Sequence, residues 1–303
     1  MTDPRALLAA LAVPRLTGTP ANARVRAVLT RELGARGFIV LEQRFTARPR
    51  WPLWGRPPME AVNLIAVRPR GRISAWLVAH HDSKGQPASM ATRIALVGGA
   101  ALAAVAGCAA LSAGAGVLVL APAAGLAAVF LLLNRVTDAS PGAVDNAAAL
   151  VTALATVDHL PPTAPVGVIF PDAEELGLQG ARALVRERAN LLAGTAVINL
   201  DGIDDGGTTM VVRHRPGPLG AAVAAALNAS TARGLPVIVD GMVLAGVATE
   251  CLSVLRGGLA TARRVHTRHD TADRLTLTGA HQVARGLAVA LSQAEAWARP
   301  GGS

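Results

Sequence analysis

Val166-Gly167-Val168-Ile169-Phe170-Pro171-Asp172-Ala173-Glu174-Glu175-Leu176-Gly177-Leu178-Gln179-Gly180 changes character twice. An uncharged, β-branched run stops at Pro171 and reads as a strand buried on both faces. Acidic residues follow, and from Gly180 to Leu192 the pattern turns helical. The same succession recurs elsewhere. Ile73–Ala79 ends in His80-His81-Asp82-Ser83, Ala196–Leu200 in Asp201-Gly202, and Thr261–Val265 in His266-Thr267-Arg268-His269-Asp270-Thr271. Further apolar runs lie at Phe38–Leu41, Val62–Val67, Met210–Val212 and Val237–Val239. Helical patterns fall at Pro20–Gly37, Ala143–Val157, Pro218–Ala232 and Thr278–Ala298. Alternation of this kind predicts an α/β fold with a mostly parallel, mixed central sheet and helices on both faces. Sites in such sheets form beyond the carboxyl ends of the strands, where these polar residues cluster.

Composition narrows the class. Of 303 residues 51% are hydrophobic and 16% charged, which excludes disorder. Two cysteines exclude a disulfide scaffold. The net charge of +9 is carried by arginine, with Lys84 the single lysine. No basic stripe interleaved with aromatics accompanies it, so nucleic acid is not an expected partner.

From Ile94 to Leu133 there is no Asp, Glu, Lys, Arg or His. One helix of that length would reach about 60 Å, twice the roughly 30 Å hydrocarbon core. Two spans fit better, Ala91–Leu111 and Val117–Leu133, with Ser112-Ala113-Gly114-Ala115-Gly116 as the turn. Arg93 and Arg135 bracket the pair, and the positive-inside bias places both flanks in the cytoplasm. The expected organisation is therefore one discontinuous domain, 1–90 and 134–303, with residues 91–133 inserted into the lipid bilayer of the cell membrane. The other reading is a buried alanine-rich hairpin of a soluble protein or a dimer interface. Residues 1–5 have no signal-peptide form. Arg48–Pro58, with Trp51 and Trp54, suits either the lipid headgroup region or an ordinary proline-stiffened loop.

Imidazoles and carboxylates without thiolates suit zinc, cobalt or manganese. Taken singly, each element has an ordinary reading. Paired glutamates mark solvated helix starts, Asp145-Asn146 and Asp201 can cap helices or turns, and a histidine after a strand can simply be satisfied there. His159, His214 and His281 read as solvated or structural. No H-E-x-x-H helix, G-x-S-x-G elbow or phosphate-binding loop is present, and nothing marks Cys251 as a nucleophile.

In order, however, His80–Ser83, Gly142-Ala143-Val144-Asp145-Asn146, Glu174–Gly180, Asn199-Leu200-Asp201 and His266–Thr271 resemble the motifs of the dinuclear zinc exopeptidases of the bacterial leucyl aminopeptidase and aminopeptidase Y type. The likeness runs over nearly the whole chain outside the hairpin, and it implies a three-layer sandwich. It also implies one zinc on His80 and Asp201, a second on Glu175 and His266, and Asp145 bridging both. Asp82 would orient His80 from behind, and the Asp145–Asn146 peptide would be cis. Glu174 would be the general base toward a metal-bridging hydroxide. A tyrosine hydroxyl is excluded as an oxyanion donor because the chain has none, leaving His269 and Thr249 as candidates.

The expected function is thus a membrane-associated metallo-exopeptidase cleaving N-terminal peptide bonds. The alternatives are a carboxypeptidase or a glutaminyl-cyclase-like transferase on the same scaffold, or a non-catalytic membrane binding protein. The spacing from His80 to Asp145 exceeds the short loop of soluble relatives because the hairpin occupies it, which sets the site near the membrane surface.

Overall fold

Strand residues of this chain divide their side chains between two cores by simple alternation. In the computed structural model, which describes residues 2–48, 57–69, 71–234 and 238–298, eight strands form one sheet. They are β1 (Ile39–Ala47), β2 (Met59–Val67), β3 (Ala75–Val78), β4 (Val166–Phe170), β5 (Ala196–Ile203), β6 (Thr208–Arg215), β7 (Ser230–Ala232) and β8 (Glu250–Gly257). Their spatial order is β1-β2-β4-β3-β5-β8-β6-β7. The central β4-β3-β5-β8 pairs are parallel, while β2 and β6 join them antiparallel.

Leu64, Leu77, Val168, Phe170, Ile198 and Leu252 face one core. Their sequence neighbours Ile65, Trp76, Val78, Ile169, Val197 and Cys251 face the other, as the two-residue period of a strand requires. The first core is closed by α1 (Pro4–Leu11), α2 (Pro20–Ala35), α5 (Ala148–Asp158), α8 (Pro218–Ala226) and α11 (Thr278–Ala298). The second is closed by α6 (Gln179–Glu187), α7 (Ala189–Leu192) and α9 (Gly241–Leu244). The expected three-layer architecture with helices on both faces is what forms.

Two expectations need correction. Thr261–Val265 is not a strand: α10 (Leu259–Ala262) occupies its start, and the strand of this region is β8. Glu250 and Ser253 hide β8 from a reading by hydropathy, yet both are buried and partnered. Glu250 accepts from the amides of Leu219 and Gly220, at 3.0 and 2.5 Å, and Ser253 from Asn199 at 3.1 Å. The second correction is the helix expected over Pro218–Ala232, which ends at Ala226. Asn228 takes a left-handed conformation (φ +47°) that ends the helix, and β7 follows. The run at Val237–Val239 begins outside the described residues, and Ile238 and Val239 are not strand. Arg48–Pro58, with Trp51 and Trp54, lies for the most part outside them too.

Between β3 and α5 the chain leaves the sheet as α3 (Met90–Ser112), turns at residues 113–116, and returns through a short 3-10 turn (Val117–Leu120) into α4 (Ala121–Leu133). Ser89 caps α3 by accepting from the Thr92 amide at 3.2 Å. Gly107 permits the close crossing, since a Cβ there would meet Leu120 at 2.7 Å. The helix pair is rooted at one spot. Gly85 and Thr137 exchange backbone hydrogen bonds of 2.7 and 2.8 Å, and Gln86 donates to Asn134 at 2.7 Å. Within α3 only Gly107 is buried. Of the two spans expected, α3 is long and apolar enough to cross a membrane, whereas Val117–Leu133 falls short of that length.

Candidate metal centre

Parallel strands carry their outgoing loops to one edge, and four of these loops meet beyond β3, β4, β5 and β8. His80 leaves β3, Glu174 and Glu175 leave β4, and Asp201 sits near the end of β5. His266 comes from the loop after α10, in a left-handed conformation (φ +66°), and not directly from a strand. Asp145 lies in the irregular turn opening α5, and its peptide bond to Asn146 is cis. All six side chains are buried.

Asp145 is the centre of the group. Its Oδ1 lies 3.1 Å from His80 Nε2, and its Oδ2 lies 3.0 Å from His266 Nε2. Glu175 Oε1 lies 3.2 Å from His266 Nε2. Glu174 and Asp201 lie at 3.9 and 4.0 Å from His80 Nε2. The ligand atoms fall into two triplets, His80–Glu174–Asp201 and Asp145–Glu175–His266, each within 4.8 Å. Glu174 therefore stands as close to the first triplet as the ligands do, and distance alone does not separate base from ligand.

The supports are backbone contacts. Asp82 accepts from the amides of Glu174 and Glu175 at 3.1 and 3.2 Å. Its carbonyl and Oδ1 lie 3.2 and 3.4 Å from His80 Nδ1, so one residue aligns three site groups. Asp270 accepts from Val144 and Asp145 amides at 2.8 and 3.2 Å. Asn146 donates to the Leu200 carbonyl at 3.0 Å and accepts from the Gly202 amide at 3.1 Å, which ties Asp145 to Asp201. Beneath them, Arg15 donates to the carbonyls of His81 (2.9 Å) and Gly142 (3.1 Å), both beside the site.

Electrostatics splits the carboxylates into two kinds. Burial pushes Glu174 well above the ordinary range, with His80 opposing, and burial with the Asp145 charge does the same to Asp201. For Asp145 burial is outweighed by the facing imidazoles of His266 and His80, which hold it well below. Glu175 is likewise lowered, against burial, to about 2 by His266 and Lys84.

Would a divalent ion fit these residues? His80 Nε2, Asp145 Oδ1 and Glu175 Oε1 are buried without a hydrogen-bond partner, though they converge within a few ångströms. Buried polar atoms are almost always satisfied, so convergent orphaned lone pairs on imidazole and carboxylate are the donor set of a zinc-type cation. The residues fit.

Three residues at the site carried no clear signal in sequence. Lys84 Nζ pairs with Glu175 Oε2 at 2.8 Å. Arg93 of α3 reaches His266 Nδ1 at 3.1 Å. Asp240 is buried with both carboxylate oxygens unpartnered, and burial raises it to about 7. The two candidate oxyanion donors are not brought to the site. Thr249 is at the opposite end of the sheet, donating to the Thr195 carbonyl at 2.8 Å, and His269 is exposed. The buried Cys251 thiol, raised to about 12 by burial, is no nucleophile at neutral pH.

Several solved structures share this fold over nearly their whole lengths. The glutaminyl cyclase of Porphyromonas gingivalis is 16% identical, covers 96% of this chain and 97% of its own, and has a TM-score of 0.66. The aminopeptidase from Aneurinibacillus sp. strain AM-1 is 13% identical, with 98% and 94% covered and a TM-score of 0.64. BSAP, a zinc aminopeptidase from Bacillus subtilis, is 12% identical, with 96% and 94% covered and a TM-score of 0.63. No curated protein matches the sequence. A family model described as peptidase family M28 matches residues 63–291, well over half of the chain and every residue of the site. The chain thus belongs to peptidase family M28 and is a metallopeptidase.

Proposed function

We propose that the protein is a membrane-associated zinc exopeptidase that removes N-terminal residues from peptides. The observation that carries this is the convergence of Asp145 with both histidines, its two oxygens facing different imidazoles at 3.1 and 3.0 Å. His80 and Asp201 would hold one zinc ion and Glu175 and His266 the other, with Asp145 shared. Three carboxylates against two dications leave the centre near neutrality once an anion completes it. When bound, the ions supply Lewis acidity, polarising the scissile carbonyl and lowering the pKa of a water.

The chain's own residues do the rest. Glu174 takes a proton from the attacking water at its carboxylate and hands it to the amine nitrogen as the C–N bond breaks. Burial raises the proton affinity of its carboxylate, which favours taking up that proton. Asp82 holds Glu174, Glu175 and His80 in register through their backbone and ring contacts.

The residues flanking 91–133 form one domain in this reading, cytoplasmic, with α3 and α4 in the bilayer. The 23 residues of α3 reach about 35 Å, enough for the hydrocarbon core. The return arm of residues 117–133 reaches about 28 Å, which tilting of the pair or local thinning would accommodate.

The test is Glu174→Gln with metal content measured beside turnover. Turnover of aminoacyl anilides should fall by about 10²–10⁴ with two equivalents of zinc retained. Full activity in this variant overturns the role of Glu174. A second reading is favoured by the equally complete overlay on glutaminyl cyclase. Peptides beginning with glutamine separate the two: free amino acid marks hydrolysis, whereas ammonia and a cyclised peptide mark the transferase. Protease protection of the full chain in sealed vesicles tests the cytoplasmic assignment.

A further inference from the structure

The cavity that opens over the site is built from both parts of the chain. Its volume is about 740 Å³, within the roughly 300–1,000 Å³ of small-molecule sites. At its base stand Glu174, Glu175, Asp201 and His266, with Lys84 against Glu175 and Arg93 against His266. Away from that base the walls are mostly apolar, with Asn134, Thr208, Arg256 and Thr261 interspersed. Met90, Ile94, Val97 and Phe130 come from the helix pair, and Met210 and Leu255 from β6 and β8.

The rim has the same character on two sides. Ile94 and Val97 line the cavity and are nevertheless 43% and 50% exposed, and Ile238 on the opposite lip is 71% exposed. A mouth meant for water-borne, polar peptides gains nothing from apolar lips, each of which costs about 25 cal/mol per Å² left in water. Moreover, Ile94 and Val97 continue directly into the exposed apolar surface of α3, where Leu102 is 73% exposed. The cavity wall and the face offered to lipid are one surface.

We propose that this cavity receives a long hydrocarbon side chain on the N-terminal residue of the substrate, so that the preferred substrates are lipophilic peptides taken up at the membrane surface. This rests on the exopeptidase reading above. Burial of the chain between α3, α4 and the sheet would place the adjoining peptide bond over Glu174, converting remote apolar contact into rate.

The full chain in nanodiscs is assayed with anilides of alanine, norleucine, 2-aminooctanoic acid and 2-aminodecanoic acid, with partitioning into the lipid subtracted. kcat/KM should rise about two- to fourfold for each added methylene. A dependence that is flat or falls beyond norleucine overturns the proposal. Ile238→Asn, on an exposed lip outside the helix pair, should lower the long-to-short ratio roughly threefold, as should Val97→Asn on the other lip. Unchanged ratios in both variants overturn it as well. If no anilide is cleaved, the exopeptidase reading fails by itself, and binding of n-alkylamines, read by calorimetry against empty nanodiscs, still decides the matter. Affinity growing with chain length supports the cavity's role. Affinity independent of length overturns it and leaves bilayer lipid as the occupant.

Discussion

Helices α5 and α3 draw on the same small vocabulary, alanine with valine and leucine, and meet opposite surroundings. Nine residues of α5 are buried, from Ala148 to Val157, between the sheet and α11. Even its threonines are enclosed: Thr152 and Thr156 donate to the carbonyls four residues back, each at 2.8 Å. In α3, three turns longer, only Gly107 is buried, and its one helical neighbour along most of its length is α4. Apolar composition thus states that a segment must leave water but not what will receive it. For α5 the receiver is the sheet beneath the metal centre. For α3 nothing in the chain is large enough, and the bilayer is the proposed receiver.

This proposed division, chemistry over α5 and attachment along α3, can be broken at several points. The largest expected effect lies at the site. Glu174→Gln removes about 10²–10⁴ of turnover, or roughly 3–5 kcal/mol of barrier, while leaving membrane flotation intact. Next comes Leu150→Ala in α5, a fully buried leucine, expected to destabilise by about 2–5 kcal/mol in denaturant titrations. A loss near zero there would mean that α5 is not the core helix described. Removing zinc with a chelator should follow. Ligand at a hundred times its dissociation constant contributes about 2.7 kcal/mol, so the melting temperature should drop by about 5–10 °C. No shift would argue against a bound ion under those conditions. The smallest effect sharpens the contrast most. Leu102→Ala in α3 should change the unfolding free energy from denaturant titration by under about 0.5 kcal/mol, despite removing as many atoms as Leu150→Ala. Comparable losses at the two positions would refute the contrast between the helices.

How much of this was legible beforehand follows from which interactions are local. Runs such as Val166–Phe170 announce strands because burial on both faces demands unbroken apolar residues, and the loops after β3, β4 and β5 carried their ligand-type residues in plain view. β8 was missed because its stabilisation is not local: Glu250 is tolerable in a buried strand only because the amides of α8, some thirty residues earlier, receive its charge. The site was legible in its six principal side chains and opaque in its cations and its extra acid. Lys84, Arg93 and Asp240 acquire meaning only through partners brought from distant positions. The tie between Asp145 and Asp201 through Asn146 is equally invisible to spacing.

Order along the chain determined most of the kinds of elements, the position of His80, Glu174, Glu175 and Asp201 at the outgoing ends of strands, and the presence of an uncharged segment too long for one helix. Those are properties of residues and their near neighbours. Only the tertiary structure decided that Asp145 faces both imidazoles, that Glu174 stands among the ligand atoms, and that a single cavity has walls from both α3 and the sheet. Distances of 3.1 and 3.0 Å from Asp145 to His80 and His266, 65 and 121 positions away along the chain, depend on how the layers pack, and packing is a sum over the whole chain.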